Sequence, residues 1–169
     1  MKSFRFFIVQ RPFHAKRFNP QKDATHTQNF TFWQRWLFTL SVLVAVFGLA
    51  LALLNHTPLF EPLNRQVDPV FWAAASLPSA AVGFRSWVYG LLGATMAGWG
   101  ITLAFLASYA FARREKWAWN AIAIGLLAWY VVDTTISTVF HVYFNVLFNS
   151  LILTGGVLPL LYTRRDFGS

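Results

Sequence analysis

The chain contains no cysteine, which excludes disulfides, Cys-ligated zinc, iron–sulfur clusters and thiol catalysis. Charge is scarce as well. Only 12% of the residues are Asp, Glu, Lys or Arg, against about 25% in an ordinary soluble domain. Acidic residues are the scarcest, six among 169. General acid–base work by paired carboxylates needs two buried acids, and Asp133 is the one candidate. There is no Walker loop, no dinucleotide fingerprint and no nucleophile elbow. No Ser or Thr sits in a motif with His and an acid. No catalytic constellation is therefore expected, and the chain is read as a non-enzyme.

What the chain has instead is apolar length. Hydrophobic residues make up 56% of it, and the mean hydropathy is +0.47. They cluster in runs long enough to cross roughly 30 Å of hydrocarbon. The runs define an all-α integral membrane protein with four transmembrane helices, at about residues 32–54, 87–111, 117–138 and 140–162. A polar basic arm, 1–31, precedes them and a tail, 163–169, follows. The arm is not expected to be a signal peptide, because the apolar run comes late, is long and lacks a small-residue cleavage site.

The net charge of +8 is distributed as a topology signal. Lys2, Arg5, Arg11, Lys16, Arg17 and Lys22 precede the first run. Arg113, Arg114 and Lys116 lie in the short break between spans two and three, and Arg164 and Arg165 follow the fourth. Positive charge of this kind marks cytoplasmic segments, so both termini are expected inside. Trp33, Trp36, Trp87, Trp117 and Trp119 fall at span ends, as aromatic belts do. No nucleic-acid module accompanies the charge, and nucleic acid is not an expected partner. Anionic lipid is.

The outer loop between spans one and two holds Pro58, Pro62, Pro69 and Pro78. Asp68-Pro69 has the form of an N-cap followed by proline at N1, which predicts a short interfacial helix over about Pro69 to Leu77. Span two carries Gly90, Gly93, Ala94, Ala97 and Gly98. Small residues four apart, Gly93 with Ala97 and Ala94 with Gly98, allow close backbone approach to a neighbouring helix in lipid. Gly155, Gly156 and Pro159 predict a kink in span four, with neighbouring groups satisfying the freed backbone.

The outer half of the hairpin formed by spans three and four is polar. His141, Asn145 and Asn149 are spaced four apart on one stripe. Reflection across a turn near Val139–Phe140 sets Asp133 level with Asn145 and Tyr130 level with Asn149, with Asp133 roughly 10 Å in from the turn. An intramembrane carboxylate needs partners. His141, Arg85 at the outer start of span two, His56 at the end of span one and the asparagines are the candidates. The cluster reads either as a ligand or proton site or as a hydrogen-bonded packing network.

A bis-histidine haem would have only His56 and His141 to use. A chlorophyll-type pigment would need one axial His. A quinone could stack on Trp99 or Trp129 inside spans two and three. No companion motif supports any of these, so no cofactor and no metal is expected. Two functions fit the residues. One is a non-catalytic accessory subunit of a larger, energy-converting membrane complex (respiratory or photosynthetic), with the arm's Phe and Arg residues docking on partner subunits. The other is a small carrier for a hydrophobic ligand such as lipid or quinone, held by the Asp133 cluster. A bacterial inner membrane is the expected location.

Overall fold

The computed structural model describes residues 20–72 and 77–168, with side chains from Thr27 onward. Every regular element among them is helical. Helix α1 spans Pro20–Leu54, a 3-10 turn Pro58–Phe60 leads into α2 (Glu61–Phe71), and α3 covers Ser79–Leu106 with a π-turn, Ala107–Phe111, at its end. Helix α4 spans Lys116–Val139, α5 spans Tyr143–Thr163, and a last 3-10 turn covers Arg164–Phe167. Four segments, Thr27–Leu54, Ser79–Phe111, Lys116–Val139 and Tyr143–Phe167, are long and apolar enough to cross a membrane. The chain is all-α, as expected.

Several boundaries differ from the sequence reading, each for a local reason. Helix α1 reaches back to Pro20, into the segment read as an arm, because proline is tolerated in a first helical turn. Residues 1–19 of that arm lie outside the described residues. Helix α3 starts at Ser79 rather than near Trp87. Arg85 looked like the end of a span, but Asp68 on α2 pairs with it, so the helix continues past the charge. The short helix between the first two spans begins at Glu61-Pro62, with Pro62 in its first turn. Asp68 and Pro69 therefore lie in its last turn and not at its start; the Asp68 carbonyl accepts the Trp72 N–H at 2.9 Å.

The α4–α5 connection is longer than expected and closes as a Schellman motif. His141 takes the left-handed position with φ 59°. Its N–H donates to Thr138 O at 3.1 Å, and the Val142 N–H reaches back to Ser137 O at 2.8 Å. The α3–α4 break repeats the device with Arg114 (φ 59°), where Arg114 N donates to Phe111 O at 2.9 Å and Glu115 N to Ala110 O at 3.0 Å.

Helices α1 and α3 pack backbone against backbone. A methyl group on Gly48 would lie 2.5 Å from the backbone nitrogen of Ala97; one on Gly93 would lie 2.4 Å from that of Ala52, and one on Gly100 2.5 Å from that of Ala45. Ser41, Ala45, Gly48 and Ala52 on α1 thus face Gly93, Ala97 and Gly100 on α3. Lipid tails give helices no hydrophobic reason to associate, so close van der Waals contact through small residues does this work. Of the positions picked out from sequence, Gly93 and Ala97 are in the interface. Gly90 stands at its margin, 4.0 Å from Ala52 O, and a methyl on Gly98 would meet nothing within 4 Å. Gly98 is five residues from Gly93, roughly 140° round the helix, and so cannot share its face.

The basic end of the bundle has its own core. Phe30 stacks on Phe111 at 5.9 Å between centroids, and Phe167 closes on Phe111 at 4.8 Å. The Arg114 guanidinium lies 4.6 Å over the Phe30 ring and 3.9 Å from Asp166. At the opposite end, Phe71 of α2 approaches Phe140 of the α4–α5 turn at 6.0 Å. The break after α3 and the last turn therefore share one end, and α2 and the α4–α5 turn share the other.

Candidate functional site: an intramembrane carboxylate

Asp133, Thr134 and Ser137 lie on α4, and Asn145 and Asn149 lie one turn apart on α5. The antiparallel hairpin brings the two sets to one depth. Asn145 Nδ2 donates to Asp133 Oδ1 at 2.7 Å, Asn149 Nδ2 at 2.9 Å and Ser137 Oγ at 3.1 Å. Asn145 Nδ2 also donates to Ser137 Oγ at 2.8 Å, and Asn149 Nδ2 approaches Thr134 Oγ1 at 3.5 Å. Asn149 is almost fully buried, and Asp133 and Asn145 are half-buried. Three neutral donors thus converge on one carboxylate oxygen, and Oδ2 takes part in none of these bonds.

The other residues expected around Asp133 are elsewhere. Arg85 is committed to Asp68. His141 is turned out of the stripe by its left-handed backbone, is exposed, and meets the Tyr143 hydroxyl through Nδ1 at 3.1 Å. Tyr130 bonds Ser150 at 3.3 Å, one residue beyond Asn149. His56 is exposed just past the end of α1. No Lys, Arg or His lies within 4 Å of Asp133 among the described residues. Ser137 is the member that sequence spacing underrated; its position four residues after Asp133 was the available signal.

No family model, no curated protein and no solved structure matches this chain. Its chemistry has to be read from the site itself. A metal centre finds no group of three His, Asp or Glu side chains among the described residues. Trp99 and Trp129 turn toward each other, with centroids 5.4 Å apart and planes tilted by 39°, so each covers part of the ring surface a flat ligand would use.

Two indole nitrogens near the basic end, those of Trp36 and Trp119, serve backbone carbonyls. Pro159 lacks the N–H that would bond Gly155 O four residues earlier, and Trp36 Nε1 donates to that carbonyl at 3.0 Å. Trp119 Nε1 donates to Leu160 O at 3.0 Å, in the last turn of α5. Gln34 Nε2 donates to Ala107 O at 3.0 Å, where α3 widens into its π-turn. These side chains fasten the helices to one another at places where the helical ladder is interrupted or ends.

Proposed function

We propose that this chain is a non-catalytic accessory subunit of a larger membrane assembly, with its basic end toward the cytoplasm of a bacterial inner membrane. The observation that carries the reading is Asp133, a carboxylate inside a spanning hairpin that meets three neutral donors on one oxygen and, among the described residues, no cation. Burying a charge without a counter-charge is costly in lipid, and ion pairing across helices offsets that cost. A basic side chain on a partner helix fits Oδ2. The polar groups of Gln34, Trp36 and Trp119 are in keeping with a structural role, because they fasten helices together. An energy-converting complex suits such a subunit, since intramembrane acids and their counter-charges line proton and ion pathways there.

The same carboxylate favours a second reading, a carrier for a lipid whose ammonium or hydroxyl head donates to Oδ2. One experiment separates the two. The protein is purified at native expression level from its own membranes in mild detergent, and everything that co-migrates is identified by mass spectrometry. The subunit reading expects stoichiometric protein partners whose recovery drops in the Asp133→Asn variant, while the variant itself stays folded. A protein that runs alone overturns that reading. Bound lipid that is lost in Asp133→Asn then supports the carrier.

A further inference from the structure

The basic end of α3 carries a groove well apart from the Asp133 cluster. Phe105, Leu106, Tyr109 and Arg113 recur at intervals of three and four, which sets them on one face of the helix. At Ala107–Phe111 the helix widens into its π-turn, a distortion that often accompanies a functional site. The left-handed residue Arg114 then turns the chain, and Glu115 and Trp117 open α4 beside that face. These six residues line an open groove of about 410 Å³, within the range of small-molecule sites, about 300–1,000 Å³.

The groove is charged at one end and apolar at the other. Trp117, a belt tryptophan, is exposed beside Arg113 and Glu115, where a headgroup layer is met. Phe105 lies eight residues before Arg113, roughly 12 Å deeper. It stacks on Tyr109 at 6.0 Å with the planes 11° apart, and both rings are exposed. The neighbouring Arg114 is committed elsewhere, over Phe30 and toward Asp166. Arg113 and Glu115 form no ion pair among the described residues, with each other or with any third group. Glu115 accepts the Trp117 indole N–H. A cation and an anion thus line one groove without meeting. A purely anionic ligand would be repelled by Glu115, and a purely cationic one by Arg113. The ligand that answers both is a zwitterion with an apolar tail.

We propose that this groove binds a phospholipid with an ethanolamine headgroup. The phosphate meets Arg113 and the Tyr109 hydroxyl, the ammonium donates to Glu115, and an acyl chain lies along Phe105 and Leu106. The guanidinium presents its donors in a fork that matches phosphate oxygens. A primary ammonium has three N–H groups to offer a carboxylate, whereas a trimethylated choline has none. Glu115 also stands at the N-cap of α4, where an acid favours the helix dipole. That contribution is the same whichever lipid is present, so lipid preference separates the two roles. The inference needs only that the basic end lie at a headgroup layer, and it is independent of the subunit reading.

The test is native mass spectrometry of the full, delipidated chain in detergent. Phosphatidylethanolamine, phosphatidylcholine and phosphatidylglycerol with matched acyl chains compete at equal concentration. The expected result is ethanolamine lipid bound about fivefold better than choline lipid, as for one exposed ion pair. Glu115→Gln should bring the ethanolamine lipid down to the choline level and leave choline lipid unchanged. Arg113→Gln should weaken both, and Arg65→Gln, at the other end of the bundle, should change neither. Choline or glycerol lipid bound as well as ethanolamine lipid by the wild type overturns the proposal, and needs no variant to fold. A preference that survives Glu115→Gln also overturns it. So does one that is lost in Asp133→Asn and kept in Glu115→Gln, which would move the headgroup to the α4–α5 hairpin.

Discussion

A proline inside a membrane helix strips one carbonyl of its donor, and at Gly155 the replacement comes from a different helix. Trp36 donates to that oxygen at 3.0 Å, so its indole contributes a hydrogen bond as well as the interfacial anchoring expected of a belt tryptophan. Replacing Trp36 with Phe keeps most of the ring and removes the donor. The expected loss is about 1 kcal/mol, as for an interhelical hydrogen bond in lipid. In a Pro159→Ala background, the backbone N–H at position 159 can serve Gly155 O, and the same Trp36→Phe change should cost less. A double-mutant cycle by unfolding in mixed micelles measures the difference. Equal cost in both backgrounds would show that Trp36 acts through ring packing alone. Asp133 illustrates the limits of the sequence at this scale. Spacing placed Asn145 and Asn149 correctly beside it, because the period of a helix and the reflection of a hairpin are regular. Spacing misplaced His141, because a single left-handed residue redirects one side chain without disturbing the stripe around it.

At the scale of helices, the four spans were legible because apolar length is a strong and local signal. Most of their ends were legible too, and the three starts that moved did so for separate reasons: α1 reaches back to Pro20, α3 begins at Ser79 ahead of an Arg85 that pairs with Asp68, and the Schellman turn delays α5 to Tyr143. The small residues of α3 announced close packing, and the partner helix did not announce itself. It is α1, whose Ser41, Ala45, Gly48 and Ala52 are four or three apart within an otherwise apolar run. The seam makes a sharp contrast between two glycines. A side chain at Gly48 would strike backbone atoms of α3 at 2.5–2.7 Å, whereas one at Gly98 points into open space. Gly48→Val should therefore destabilise the bundle by about 3 kcal/mol, the upper end for overpacking. Gly98→Val should stay within about 0.5 kcal/mol, as an ordinary surface change does. Thermal unfolding of both variants in the same detergent checks this, and similar losses at the two sites would mean that α1 and α3 do not meet along this seam.

For the molecule as a whole, the decisive asymmetry is that charge of one sign collects at one end. Arg113, Arg114 and Lys116 follow α3, Arg164 and Arg165 follow α5, and the Phe30–Phe111–Phe167 core holds those two segments together with α1. Toward the other end, Arg65 of α2 and Arg85 of α3 are each paired with an acid. The net positive charge therefore sits on the side read as cytoplasmic. The lack of cysteine, which excluded so much chemistry, makes this reading directly testable, because any introduced thiol is the only one in the chain. Leu59→Cys lies in the loop between α1 and α2, where Leu59 is 64% exposed, and Arg113→Cys lies in the basic break after α3. A membrane-impermeant maleimide added to intact cells should label Leu59→Cys at once and Arg113→Cys only after permeabilisation. The reverse pattern would turn the bundle over. Asp133 would then lie toward the inner leaflet, and the counter-charge that the proposed subunit reading calls for would have to be sought there.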